Sequence, residues 1–245
     1  HARVDGARLR AGATGRIVRG EANLALEASA RGPLDLSGAE IQGVVDATGR
    51  LTGRIARPTL SATASMSSFN AGGVMIEQPT LSLTLAPGAN GYAGRAELRG
   101  ATAGQPVSGE ANIAIVRGAI ALDGLSAQIA AMQARGSAMF GAEGVSAELA
   151  INGLLDGLVP GVTGRMLGDV SLTPETLLLD AQITDARMGE LRVRAANLRA
   201  EGPFDAIAAR FDMRGRLRQA PLAFTGTAAL DLEGDNTLRV EGRGT

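Results

Sequence analysis

Apolar and polar residues alternate with a period of two over most of the chain. In residues 59–66, the even positions hold leucine, alanine and methionine, whereas the odd positions hold threonine and serine. Residues 80–85 repeat the pattern with three leucines, after a Gly-Gly pair at 72–73. A period of two bounded by Gly and Pro predicts half-buried antiparallel strands. Each such strand has one apolar face, and the rest of the fold must either cover that face or leave it open.

The same alternation recurs along the whole sequence, so we predict an all-β fold. Alternating strands commonly pack into the filled core of a sandwich or barrel. Aromatic residues make up only 2% of this chain and Trp is absent, although aromatic side chains usually fill such cores. This composition favours a long, curled, mostly antiparallel sheet whose apolar face lines an open interior groove.

The large apolar residues of the alternating stretches are the candidate lining residues of that groove. They are Leu24, Leu26, Leu60, Met66, Leu81, Leu83, Leu85, Ile113, Ile115, Val145, Leu149, Ile151, Leu177, Leu179, Ile183, Leu191, Val193, Ile207, Phe211, Met213, Leu222, Phe224, Leu230 and Leu232.

Three stretches depart from the period. Residues 34–47 fit a short helix or an irregular strand. Residues 125–134 contain good helix formers, but we favour strands because glycines flank them and the alternation resumes at Val145. Residues 153–168 fit one or two helical turns ended by Pro160-Gly161. The last stretch predicts a joint between segments 1–152 and 169–245 of one continuous, elongated unit.

The residue inventory argues against catalysis. The only His is residue 1, which we interpret as the remnant of a tag, and neither Cys nor Lys occurs. The chain therefore cannot build a His-based triad, a thiolate zinc site, a P-loop or a Schiff base. Carboxylates are scattered over polar faces, as solvated strand charges are. We expect no enzyme, no cofactor and no metal site.

Charge is balanced overall, at −1, but is uneven along the chain. Residues 187–218 hold eight arginines against four acidic residues, which leaves +4. The simpler interpretation of this positive charge is that the arginines lie on a solvated outer face. The more specific one is that they bind an anionic partner such as a lipid head group or membrane surface.

Nucleic acid is not expected as a partner, because aromatic stacking platforms are missing. The chain has no apolar run near the roughly 18 residues of a membrane span. It begins and ends mid-pattern, as an excised part of a longer protein would.

The residues from Gly49 to Leu60 read G-x-L-x-G-x-I-x-x-P-x-L and lead into a strand, a Gly-Gly turn and an apolar strand. This phrase resembles the central-to-C-terminal region of the TamB family of translocation and assembly module proteins, which are distant relatives of AsmA-like proteins. The glycine-rich stretch 161–172, the apolar strand 177–183 and Gly202-Pro203 are similar to the same family pattern.

The resemblance implies a periplasmic protein of Gram-negative bacteria, anchored in the inner membrane by an N-terminal helix that is absent here. It implies a β-taco: a long sheet folded around a hydrophobic interior. Its first implied function is transport of phospholipid between the inner and outer membranes. Its second is scaffolding or chaperoning of outer-membrane or autotransporter proteins with a TamA-like barrel partner, by strand addition or groove binding. A secreted β-rich adhesin with a filled core is a third possibility.

Overall fold

The computed structural model describes residues 2–6, 8–35, 39–71, 74–156, 161–203, 206–231 and 237–244. Across these ranges the regular structure consists of β-strands, and no helix occurs in them. Every strand pair described is antiparallel, which confirms the predicted all-β, mostly antiparallel fold. The chain divides into two compact units, residues 1–129 and 130–245.

The first unit is a succession of strands in which neighbours in sequence pair with each other. Its strands are β1 (Ala2–Asp5), β2 (Leu9–Val18), β3 (Glu21–Arg31), β4 (Leu34–Asp35), β5 (Ala39–Arg54), β6 (Thr59–Ala71), β7 (Val74–Pro87), β8 (Tyr92–Thr102), β9 (Gln105–Val116) and β10 (Ala119–Ile129). The short β4 pairs with the start of β5, and the rest of β5 pairs with β3. Every other strand follows the simple order.

The second unit follows the same rule. Its strands are β11 (Met132–Gly141), β12 (Gly144–Leu154), β13 (Val162–Leu172), β14 (Leu177–Met188), β15 (Leu191–Gly202), β16 (Ala206–Leu217), β17 (Ala220–Asp231) and β18 (Thr237–Gly244). Each strand pairs with the next in sequence. Strand order is therefore chain order within this unit.

Several hairpins turn on two residues with positive φ. Arg19 and Gly20 have φ of 51° and 81°, and Arg117 and Gly118 have φ of 51° and 85°. Two consecutive positive φ values are typical of the type I′ turn, whose twist matches that of the flanking strands. Glycine supplies the second position without steric cost. Short turns of this kind force consecutive strands to pair.

Of the two alternatives for residues 34–47, a short helix or an irregular strand, the described residues form strands, and the described parts of 153–168 contain no helical turn. The first stretch contains β4 and the start of β5, and residues 36–38 lie outside the described ranges. In the second, β12 runs to Leu154 and β13 begins at Val162, whereas residues 157–160 lie outside the description. The strands favoured in residues 125–134 are present, as the end of β10 and the start of β11.

At the described ends of the connection between β12 and β13, hydrogen bonds link the two sides. The amide of Leu155 donates to the carbonyl of Gly164 at 2.8 Å, and the Gly164 amide donates to Asp156 Oδ1 at 3.2 Å. Leu155 is 8% exposed, so its apolar side chain is buried without a helix. The chain divides into its two compact units between residues 129 and 130, and the joint at 153–168 stays a prediction.

The fold buries little of its apolar surface. The chain has an accessible surface of 16025 Å². A monomeric globular protein of the same 24.9 kDa mass exposes about 10,200 Å². Among the described residues, ten hydrophobic residues are buried, and half of them are the alanines Ala22, Ala111, Ala181, Ala186 and Ala200. Most of the apolar face is therefore half-buried.

Candidate functional site

The candidate site is the apolar face of each unit. In the first unit the strand register brings large aliphatic residues from successive strands into one cross-strand row. The row contains Leu24, Leu51, Leu60, Leu85, Gly94, Ile113 and Leu122, each opposite the next. Residues directly opposite each other in an antiparallel pair have Cβ atoms about 5 Å apart. The row is therefore a continuous apolar track across β3 and β5–β10.

Parallel rows in the first unit mix large and small residues. Leu83 lies between Ala62 and Ala96, and Leu81 lies opposite Ala64 on one side and Leu98 on the other. Three further predicted residues sit within the same pattern, since Leu26 lies opposite Gly49, Met66 opposite Val45, and Ile115 between Tyr92 and Ile120. Because leucine alternates with alanine or glycine, this face has only shallow depressions between its side chains.

The second unit has its own cross-strand rows. One contains Leu149, Val170, Leu179, Ala200, Ala209 and Ala228. Another contains Ile151, Gly168, Ala181, Leu198, Phe211 and Gly226. A third contains Met166, Ile183, Ala196, Met213 and Phe224. Each row again combines branched residues with alanine or glycine.

The structure places every predicted lining residue whose side chain is described on the less exposed side of its strand. Leu85 and Val193 are buried, at 8% and 9% exposure. The other predicted residues with described side chains are half-buried. Of Leu230 only the backbone position in β17 is described, and Leu232 lies outside the described residues. A role for these residues in lipid contact stays a prediction.

Sequence reasoning missed several members of the rows. These are Leu51, Leu98, Leu122, Met166, Val170 and Leu198. Leu51 lies between Gly49 and Gly53, which conceal the alternation of the long strand β5. For Leu122 the turn at Arg117-Gly118 was an available signal, because a two-residue hairpin fixes which residues of β9 and β10 face each other.

The opposite face carries Thr, Ser and charged side chains. Arg95 forms ion pairs with Glu97 at 3.2 Å and with Glu110, all three partly exposed. Ser171 donates to Glu148 at 2.6 Å. Such pairs are worth less than about 1 kcal/mol each at an exposed surface. They mark this face as the solvated one.

Within the ranges that the structure describes, no group of three or more His, Cys, Asp or Glu is placed to hold a metal ion. Those ranges also contain no helix with the length and apolarity needed to cross a membrane. The sequence matches no protein-family model, no curated protein and no solved structure. The resemblance to the TamB family therefore stays a prediction.

Proposed function

We propose that the apolar face shields the acyl chains of phospholipids as they move through the periplasm between the inner and outer membranes. The observation that carries the proposal is the unbroken row from Leu24 to Leu122, which is apolar at each position and only half-buried for most of its length. A filled core would bury these side chains fully. A half-buried apolar track offers contact area to an apolar ligand.

The hydrophobic effect is large enough to hold a lipid on such a face. Each CH₂ group removed from water contributes about 0.8 kcal/mol, so covering about ten methylenes contributes about 8 kcal/mol. A lipid that leaves the track for water loses that free energy. A lipid that moves along the track exchanges one aliphatic contact for another. Transport then needs no chemical step in this chain.

The small residues in the rows favour movement of a lipid along the face and disfavour tight binding at one position. Gly94 and Gly168 interrupt rows of Leu, Ile and Ala on the apolar face. Large rings would form deep pockets that hold a chain in place, whereas glycine and alanine leave a low surface. The face is therefore suited to a ligand that slides.

Scaffolding of client proteins by strand addition is the second candidate. It receives less support because strands β5–β9 and β12–β17 already have a hydrogen-bonded neighbour on each side. A client strand needs an unpaired edge. The apolar rows, by comparison, extend across β3, β5–β10 and β12–β17.

The test is photo-crosslinking in the protein as it is expressed in its own cells. A photoreactive amino acid replaces Leu179, which is half-buried on the apolar face, or Leu178, which is 37% exposed on the opposite face. The two positions are adjacent and carry the same residue, so Leu178 is a matched control. We expect phospholipid adducts at position 179 and none at position 178.

Other outcomes would contradict the proposal that the apolar face is a lipid conduit. Protein adducts without lipid at position 179 would favour the scaffold. Equal lipid adducts at both positions would show non-specific labelling. The absence of any adduct at 179, with efficient labelling of the surrounding protein, would mean that the apolar face is closed.

A further inference from the structure

The polar face of the second unit carries a cluster of five exposed arginines. Arg187, Arg192 and Arg216 lie directly opposite one another on β14, β15 and β16. Arg194 and Arg214 lie beside them along β15 and β16. These five residues, hereafter the arginine patch, line one groove of about 1070 Å³ together with Asp185, Pro221 and Ala223.

A strand irregularity contributes to this cluster. The pairing of β15 with β16 shifts between Val193 and Ala195, so Arg194 is the extra residue of a β-bulge opposite Arg214. Bulges redirect a side chain and are common next to functional sites. Here the bulge leaves Arg194 and Arg214 in the same groove.

The positive charge of the arginine patch is not neutralised within the described structure. Its five arginines face one carboxylate in the groove, that of Asp185, which leaves +4. None of the five has an ion pair within 4.0 Å among the described residues, whereas nearby Arg218 and Arg199 pair with Glu190 and Glu201 at 2.6 and 3.5 Å.

Like charges placed directly opposite each other destabilise a sheet. Further along the same strands, the row of Asp180, Arg199 and Arg210 mixes the two signs. The row of Arg187, Arg192 and Arg216 does not. An anion bound in the groove would remove this repulsion.

The chemistry of the arginine patch selects the class of anion. Guanidinium groups form bidentate hydrogen bonds with phosphate, and neighbouring strands space them about 4.8 Å apart. The groove contains no aromatic side chain among its lining residues. It therefore lacks the stacking platforms used for nucleic-acid bases and the Trp and Tyr anchors of protein interfaces.

We propose that the arginine patch docks on the phosphate head groups of an anionic phospholipid bilayer. Four to eight clustered basic residues are sufficient for such docking, and each contributes roughly five-fold to the partition coefficient. The patch lies on the face opposite the apolar rows. Docking of this face is therefore independent of whether acyl chains bind the other one.

The experiment measures binding of the 245-residue chain to large unilamellar vesicles by sedimentation at low salt. Vesicles contain either 30 mol% phosphatidylglycerol in phosphatidylcholine or phosphatidylcholine alone. We expect binding to the anionic vesicles only, weakening as salt is added. The triple variant Arg187→Gln, Arg192→Gln and Arg216→Gln should bind roughly 100-fold more weakly.

Two further variants separate the patch from net charge and from misfolding. A matched variant with Arg16→Gln, Arg50→Gln and Arg117→Gln removes the same charge from exposed positions of the first unit and should lose less than about three-fold. The triple Arg→Lys variant of the patch keeps the charge and should retain most binding. Circular dichroism checks that all variants keep the β-sheet spectrum.

Defined results would overturn the proposal. Equal losses in the two Gln variants would mean a general charge effect. Equal binding to both vesicle types would exclude an anionic head group. Patch-dependent binding of inorganic tripolyphosphate that is tighter than binding to vesicles would indicate a soluble phosphate ligand. Patch-dependent binding to poly-glutamate or to oligo-dT that is tighter than binding to vesicles would indicate an acidic protein or a nucleic acid.

Discussion

Phe211 and Phe224 stack on the apolar face of the second unit, with ring centroids 5.6 Å apart and ring planes inclined by 23°. Both rings lie over glycines of the neighbouring strands. A Cβ atom added at Gly226 would come within 2.7 Å of Phe211 Cζ, and one added at Gly242 would collide with the Phe224 ring. The two rings therefore lie along the sheet instead of projecting from it, which keeps even this aromatic region low.

The glycine beneath Phe211 should be required for this arrangement. Gly226→Ala brings the added Cβ within 2.7 Å of both the Phe211 ring and the Glu241 carbonyl oxygen, so it is expected to lower the free energy of unfolding by about 1–3 kcal/mol. The matched change is Gly141→Ala, since an added Cβ there meets no atom within 4 Å. Urea denaturation followed by circular dichroism measures both. Equal losses of stability in the two variants would contradict the packing of Phe211 against Gly226.

Leu85 should contribute more to stability than its neighbours on the polar face. It is 8% exposed between Leu60 and Gly94, so Leu85→Ala removes buried contacts and is expected to cost about 2–4 kcal/mol. Thr84→Ala, on the exposed side of the same strand, should change stability by less than about 0.5 kcal/mol. Denaturation midpoints of the two variants provide the comparison. A Leu85→Ala cost below that of Thr84→Ala would argue that the row is not packed.

Gly164 holds the hairpin between β12 and β13 in a conformation that other residues rarely adopt. Its φ is 139°, and an added Cβ would lie 2.7 Å from the Cα of Ala186. Gly164→Ala is expected to destabilise the protein by about 1–3 kcal/mol. The adjacent exposed substitution Thr163→Ala is the control. Thermal melting should separate the two, and a stable Gly164→Ala variant would show that the hairpin tolerates another backbone path.

A large ring placed on the apolar face should impede lipid movement if the conduit proposal holds. Leu179→Trp adds a bulky aromatic contact to the row of Leu149, Val170 and Ala200, and one such contact is worth about 1 kcal/mol or more. Lipid transfer between donor and acceptor membranes should fall roughly ten-fold, which corresponds to about 1.4 kcal/mol. Leu178→Trp, on the opposite face, should leave transfer unchanged. A Leu179→Trp variant with normal transfer would contradict the sliding mechanism.

The strands and their apolar faces could be predicted from the sequence because both are local properties. The alternation in residues 21–31 coincides with β3, and the leucines at 81–85 lie on the less exposed side of β7 as the period requires. A period of two needs no knowledge of the partner strand. The same is true of which side of each strand is buried.

The cross-strand rows could not be predicted in this way, since they depend on register. Leu24 meets Leu51 only because β3 pairs with β5 around the short β4, and no local pattern specifies that arrangement. The leucines of residues 153–168 predict turns of helix, yet β12 runs to Leu154, β13 begins at Val162, and the Leu155 amide donates to the carbonyl of Gly164. The arginine patch depends on register for the same reason, because Arg187 and Arg216 are brought together by the strand between them.

Pairing between successive strands has a consequence for how the protein is made. Within each unit, almost every strand finds its partner in the segment synthesised just before it. Contacts of short sequence separation form quickly, and stability accumulates between nearest neighbours as it does in repeat proteins. Such a chain can assemble from its first strand onward while its end is still emerging from a ribosome or a secretion pore. Adding or deleting a hairpin would change the number of strands in a unit without requiring a new core.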